Sequence, residues 1–379
     1  MRPAWRCDCS RGEPVATLSD VAQSVGVSIT AASLVLSDSP GASRISEATA
    51  QRIRETAERL GYYPNVAARR LASSRTDLVG VLADTFFYSI SLRRLEATTR
   101  ALLKGGYQPL VWAADWSPDG WTQAHSILAS NNAAGAVLLG PTYPVPTTEI
   151  ARGLTGAGIP TVSFAAGDGL PGAGVDRLGA FYELTRAAIG AGHTKIGYLQ
   201  PGQVTQPDVL RMAGIEAAVS ECPHVTLVTF HPFPADAPPA REHSRDLGFE
   251  TGRLGAHRYL EDDHPPSAII CYSDDVAISF MHTVQSAGVK VPEDVAVFGF
   301  DGLPESSCSY PPLTTIEQPV DAVGAAAVGS LLSLINVPDT ASEEYRLLPG
   351  RLIARESTGT LPRFPQDGDG PVDPKPHDG

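Results

Sequence analysis

The 379-residue sequence predicts two folded units of different class: a small all-α helix-turn-helix head and a larger α/β core built on parallel sheets. Three observations carry this reading. Residues 15–63 hold three short stretches with helical apolar spacing, each opened by a residue suited to cap it. Residues 76–360 alternate apolar strand runs with amphipathic helical stretches, the rhythm of βαβ units. The charge also changes sign, since residues 14–76 carry a net +2 while residues 77–379 carry −16, in a chain of −13 overall. An acidic core repels nucleic acid, so any contact with it belongs to the head.

The head starts at Thr17, which with Asp20 forms a capping box in which Asp replaces the usual Glu. Val21, Ala22 and Val25 supply the apolar face of the helix that follows, and Gly26 ends it. Ser28 is the N-cap of a second helix reaching Leu36, and Ser37 to Gly41 reads as a loop. Ser46 caps a third helix with Ile53, Ala57 and Leu60 on one face and Gly61 at its C′ position. Three helices with a glycine turn between the first two match a helix-turn-helix. Residues 64–75 contain a further short helix, Val66–Ala72, capped by Asn65. Residues 1–14 and 361–379, rich in Arg and Pro or in Pro, Gly and Asp, lack periodicity and are expected to be disordered.

In the core, strands are expected at Leu78–Leu82, Gln108–Ala113, Gly135–Leu139, Thr161–Phe164, Lys195–Leu199, Val225–Phe230, Ala268–Tyr272 and Val295–Phe300. Helical stretches separate most of them, including Leu92–Lys104, Gly179–Gly190, Val209–Val219, Gly248–Leu260 and Asp275–Ala287. Periodicity leaves open whether these strands make one large sheet or two Rossmann-like lobes.

Composition narrows the function classes. With 42% hydrophobic residues the chain can bury a large core, but no run of about 18 apolar residues marks a membrane span. The start of the chain has no apolar segment of a secretory signal. The five cysteines, Cys7, Cys9, Cys222, Cys271 and Cys308, are scattered as in a cytosolic protein with reduced thiols, and Cys7 and Cys9 lack the second pair that a zinc site requires. No Ser/His/Asp arrangement, Walker loop or GxGxxG at a strand end is present, and Gly172-Ala173-Gly174 lacks the context of a dinucleotide loop. Neither an enzyme nor a metal or organic cofactor is expected. His193, in Ala191-Gly192-His193-Thr194-Lys195, is read as satisfying a turn.

The stretch from Thr17 to Leu82 resembles the head of the lactose-repressor (LacI/GalR) family of transcriptional regulators. The core resembles the same family at Arg211-Met212-Ala213-Gly214, at Ser273 to Ala277, from Val291 through Asp301, at Pro311 to Ile316 and at Arg355-Glu356-Ser357-Thr358. These motifs occur in family order over almost the whole folded chain. The resemblance implies a two-lobed core like that of periplasmic binding proteins, a homodimer, operator double-stranded DNA as partner of the head, and a small-molecule effector, sugar-like by expectation, between the lobes. The expected role is a repressor of carbohydrate uptake or catabolism. The alternatives are a non-sugar co-repressor such as a nucleobase or nucleoside, and a pure solute-binding protein. The head argues against the latter.

On this resemblance the DNA contacts fall on Thr17, Ser28, Ile29, Thr30 and Ser33, and on Asn65, Ala68, Arg69 and Leu71. A helix-turn-helix sets the start of its second helix against major-groove base edges, which here means Ile29 and Thr30, with Ser33 one turn on. Helical phase places Ile29 outward and Val27, Ala32, Val35 and Leu36 inward. The family's usual Thr-Val-Ser-Arg reads Ala31-Ala32-Ser33-Leu34, so small and apolar groups favour thymine methyls over guanine. The Val66–Ala72 helix matches the family's hinge helix, too short to be stable alone. Leu71 matches its minor-groove wedge, Ala68 allows close approach, and Arg69 and Arg70 reach phosphates.

The effector contacts implied are Asp84, Phe87, Tyr88, Arg211, Ser273 and Asp301. Ligands of open α/β sheets bind at the carboxyl ends of strands, where Asp84, Ser273 with Asp274, and Asp301 stand, and Arg211 is read as beginning a helix. Carboxylate and guanidinium together can grip vicinal hydroxyls, while Phe86, Phe87, Tyr88 and Phe300 offer rings to stack on a sugar. Asp275 is read as a helix cap. Ser273 stands where the family usually has Asn, Ala165 lies near where some members have an acid, and the Asp84–Ser89 loop is short.

Overall fold

The computed structural model describes residues 16–36, 40–62, 76–83, 89–113, 118–140, 147–165, 169–201, 206–233, 247–337 and 344–361. The chain divides into two units, residues 1–75 and 76–379.

Among its described residues the first unit has three α-helices, α1 (Leu18–Val25), α2 (Ile29–Leu36) and α3 (Glu47–Arg59), with a 3₁₀ turn at Pro40–Arg44. The capping box forms as expected: Thr17 N–H donates to Asp20 Oδ2 at 2.8 Å and Asp20 N–H to Thr17 Oγ1 at 3.3 Å. Gly26, at φ 77°, makes the left-handed turn that ends α1, a conformation costly for any residue with a Cβ. Ser28 Oγ accepts from Ala31 N–H at 3.1 Å and starts α2, and Ser46 does the same for α3 through Thr49 N–H. Val21, Ala22, Val25, Ala32, Val35, Ala50, Ile53 and Ala57 form the core between the helices. The Arg52 guanidinium donates to Val25 O at 3.2 Å, tying α3 to the end of α1.

The second unit begins with β1 (Leu78–Ala83), α4 (Ser89–Lys104), β2 (Gln108–Ala113), α5 (Pro118–Ser130), β3 (Gly135–Leu138), α6 (Thr147–Gly156), β4 (Thr161–Ser163) and β5 (Gly172–Val175). It continues with α7 (Arg177–Gly190), β6 (Lys195–Leu199), α8 (Gln206–Ser220), β7 (Thr226–Phe230), α9 (Leu247–Leu260), β8 (Ala268–Cys271), α10 (Asp274–Ser286) and β9 (Ala296–Asp301). It ends with α11 (Glu305–Cys308), β10 (Thr314–Glu317), α12 (Val320–Asn336), β11 (Tyr345–Leu348) and β12 (Arg351–Ile353). The question that periodicity left open is answered by two sheets of six strands, in the orders β11-β5-β4-β3-β1-β2 and β12-β10-β9-β8-β6-β7. All neighbours run parallel except β12, which is antiparallel to β10.

The chain passes between the sheets three times: from β5 into α7, from β10 into α12, and from β11 into β12. Each lobe therefore contains late as well as early sequence. In lobe 1, Val323, Ala327, Val328, Leu331 and Ile335 of α12 pack on Val79, Val81 and Val137. In lobe 2, Phe181 and Leu184 of α7 pack with Ile196, Tyr198, Ile270 and Phe298. Strands buried on both faces read as unbroken apolar runs, which is why their partition between sheets is invisible in periodicity. Among the described residues no single helix is long and apolar enough to cross a membrane.

Candidate DNA-binding face and effector cleft

On the head, α2 has two faces of opposite character. Ala32 and Val35 are buried, whereas Thr30 and Ser33 are exposed and Ile29 is 53% exposed. An isoleucine at the start of α2, outside the apolar core, serves no packing purpose there. Thr17 and Ser28 are exposed at the N-termini of α1 and α2, where unsatisfied backbone N–H groups favour an anion such as phosphate. Thr17, Ser28, Ile29, Thr30 and Ser33 are thus all at the surface of the head. Asn65, Ala68, Arg69, Arg70 and Leu71, with the Val66–Ala72 helix, lie outside the described residues.

In lobe 2, the carboxyl ends of β8 and β9 lead to Ser273 and Asp301, and α8 brings Arg211 over them. Arg211 does not begin a helix, as the sequence suggested; it is the sixth residue of α8, because Gln206 and Pro207 already belong to that helix. Its guanidinium pairs with Asp208 at 2.6 Å. It also lies 5.6 Å from the ring centroids of Phe181 and Tyr272 and 5.7 Å from that of Phe300. Tyr272 and Phe300 immediately precede Ser273 and Asp301, so the cation is held over both strand ends. Burial works most strongly against the Arg211 charge, but Asp208, Tyr198 and Asp301 together outweigh it and the pKa sits above the ordinary arginine value.

Among the described residues, Arg211 Nε and Ser273 Oγ are buried here without a hydrogen-bond partner. Such atoms cost about 1–3 kcal/mol each when nothing satisfies them. Asp301 is fully buried and receives the Gln318 side-chain amide at 2.5 Å. Burial, with Asp274 nearby, pushes its carboxyl well above the usual range. Its φ of 134° is a strained value for a residue with a side chain.

Three expectations need correction. Phe300 offers no stacking surface to a ligand, because it is 0% exposed and its ring packs 5.2 Å from that of Phe181; it supports Arg211 instead. Asp275 is not a cap, since the N-cap of α10 is Ser273 and Asp275 lies inside the first turn. Asp274, read from the sequence as standing with Ser273 at a strand end that faces the ligand, is turned into the protein instead: it accepts Leu303 N–H at 2.7 Å and the Thr315 hydroxyl at 2.5 Å, joining α10 to β10. Burial pushes Asp274 and Asp275 up to about 6 each. Asp84, Phe86, Phe87 and Tyr88 lie outside the described residues. Ala165 is buried, with its N–H on Ser163 Oγ at 3.0 Å. His193 meets Ser267 Oγ at 2.9 Å beside the turn into β6, in keeping with a structural role.

Comparison with known proteins agrees with this arrangement. Residues 17–65 match the family model "Bacterial regulatory proteins, lacI family", and residues 185–358 match "Periplasmic binding protein-like domain". The HTH-type transcriptional regulator GntR of Pseudomonas aeruginosa is 31% identical over 353 residues, 90% of this chain and 95% of its own. Catabolite control protein A of Priestia megaterium is 27% identical over 90% of this chain and 99% of its own. The lac repressor dimer bound to operator and the anti-inducer ONPF has the same fold, with a TM-score of 0.76 at 22% identity over 91% of this chain and 99% of its own. The relatives are transcriptional regulators, not enzymes, and this chain belongs to the LacI family of transcriptional regulators.

Proposed function

We propose that this regulator is a homodimeric cytoplasmic repressor whose α2 face reads an operator and whose cleft senses a small, sugar-like metabolite. One observation carries the effector site: a buried guanidinium is held over two strand ends with its Nε, and the neighbouring Ser273 Oγ, lacking partners. A polyhydroxylated ligand supplies acceptors and donors for both, and Asp301 supplies a further acceptor. The family resemblance also implies contacts from Asp84, Phe87 and Tyr88, which lie outside the described residues. A ligand held by both lobes favours one closure angle, and it changes DNA affinity only as far as its affinities for the two states differ.

The dimer is supported by lobe 2. Ile278, Met281, His282 and Gln285 of α10, with Ser309 and Tyr310, line a depression of about 490 Å³. Tyr310 is 87% exposed there, an unusual waste of an aromatic ring unless a second copy covers it. Tyr310→Asp is expected to yield monomers by sedimentation while the core stays folded.

The test is operator affinity, on DNA selected from a random pool, with and without an effector found in a metabolite library. Wild type is expected to lose tenfold or more in affinity with an inducer, about 1.4 kcal/mol. Asp301→Asn and Arg211→Lys should bind operator normally and ignore the ligand. Full ligand response in both variants places the effector elsewhere.

A further inference from the structure

Where the chain crosses between the lobes, a small cavity of about 10 Å³ is lined by Arg94, Phe164, Gly174, Val175, Arg177, Gln318, Val320 and Val323. Arg177 is the first residue after the β5-to-α7 crossing, and Gln318 is the first after β10 on the way to α12. Arg94, from α4 of lobe 1, donates to the Gln318 side-chain oxygen at 2.9 Å. Arg93 on the same turn donates to Gly302 O of lobe 2, also at 2.9 Å. This junction thus holds the two lobes together with guanidinium groups, and Arg177 stands beside it.

Arg177 is 4% exposed, and its Nε has no hydrogen-bond partner among the described residues. Burial, then the Arg94 and Arg211 charges, hold its pKa below the ordinary arginine value; Tyr345 and Asp301 act the other way. Among the described residues no carboxylate lines the cavity. Arg211 has its own partner in Asp208. Asp301 accepts from Gln318 and attracts Arg94, Arg211 and Arg177 through space without a hydrogen bond to Arg177, while Asp274 accepts from Leu303 and Thr315. Burying a guanidinium with an unsatisfied Nε is expensive unless an oxyanion meets it.

We infer that the cleft is built for an acidic effector, a polyol bearing a carboxylate or phosphate whose oxyanion seats between Arg94 and Arg177 at the lobe crossing. This inference rests on the effector cleft proposed above and specifies the ligand it takes. Guanidinium groups bind such oxyanions by paired, charge-assisted hydrogen bonds. The cavity as closed has room for about one water, so the oxyanion enters by taking the place of the Gln318 amide on Arg94. It then bridges lobe 1, through Arg94, to lobe 2, through Arg177. Anion binding is thereby coupled to the closure angle.

The experiment is thermal unfolding of the full chain in about 10 mM inorganic phosphate against chloride at equal ionic strength, repeated with glucose, glucuronate and glucose 6-phosphate. Wild type should melt about 2 °C or more higher in phosphate. Arg177→Met should abolish that shift yet melt no lower than wild type without phosphate, because an unpaired buried charge has been removed; Arg177→Gln serves if the methionine variant does not fold. A larger shift with glucuronate identifies a carboxylate, and one with glucose 6-phosphate a phosphate. The inference is overturned if phosphate leaves wild type unmoved, or if Arg177→Met keeps the shift. It is equally overturned if both variants melt several degrees below wild type without ligand, since a carboxylate of the chain itself then already pairs with Arg177. Glucose acting equally on wild type and Arg177→Met, with phosphate inert, removes the acidic class but leaves the cleft itself standing. The cleft fails separately, through a full operator response in Asp301→Asn.

Discussion

The head and the core treat their polar groups in opposite ways. On the head, Thr30, Ser33 and the misplaced Ile29 stand exposed on a helix whose other face is fully packed. In the core, Arg177, Ser273, Asp274 and Asp301 are buried, and some of their atoms lack partners. A DNA surface is large and always hydrated, so a preformed exposed face is enough to read it. A small ligand must earn its affinity by satisfying groups that the protein keeps dry and unsatisfied. Stability is therefore spent in the core, and readout sits on the head.

The difference can be broken most severely by removing the head. A chain starting at Thr76 should lose all specific operator binding, a drop of at least 10³-fold in a gel-shift at fixed salt, while still melting cooperatively. A headless chain that shifts operator would put DNA contacts on the acidic core.

A second test concerns buried pairing. Arg211→Ala leaves Asp208 buried without its partner and should cost the core about 3 kcal/mol in denaturant unfolding. An equal change in the exposed Arg54–Glu47 pair of the head, 3.1 Å apart, should cost less than ~1 kcal/mol.

Acid titration sharpens the contrast further. Asp274 and Asp275 rise from 3.8 to about 6 on folding because burial disfavours their charge. Between pH ~4 and ~6 the folded core therefore binds more protons than the unfolded chain, and stability falls as pH rises through that window. Above it, each carboxylate costs on the order of 2 kcal/mol. Asp275→Asn should accordingly stabilise the core at pH 7 by ~1–2 kcal/mol and flatten the slope between pH 4 and 6, read from melting curves. A steeper slope in that variant contradicts this cause. On the head, Ser28→Ala removes the bond to Ala31 N–H and should cost about 1 kcal/mol, without affecting the core.

Legibility followed the same divide. Among the described residues the caps of the head were readable, because Thr17, Gly26, Ser28 and Ser46 act on neighbours within three or four residues. The exposure of Ile29 followed from helical phase alone. In the core, Asp301 and Ser273 were found at strand ends, but Arg177 was missed because its surroundings come from α4 and two sheet crossings far apart in sequence. Gly172-Ala173-Gly174 was dismissed as a glycine stretch and is the strand β5 that precedes one of them. A side chain at Gly174 would run into Tyr345 and Phe164, so glycine there marks a close approach that propensity discourages and packing requires. Paired glycines followed by an acid and an arginine, as in Gly174 to Arg177, were the signal available.

The most direct measurement is selection from a random DNA pool by wild type and by Ile29→Ala in parallel. The head reads DNA through the start of α2, so both proteins should enrich two-fold symmetric sequences of equal half-site spacing, with the preference changed or lost at one base step in each half. Identical enriched sequences from the two proteins would contradict the account, because the exposed isoleucine would then have no base to read.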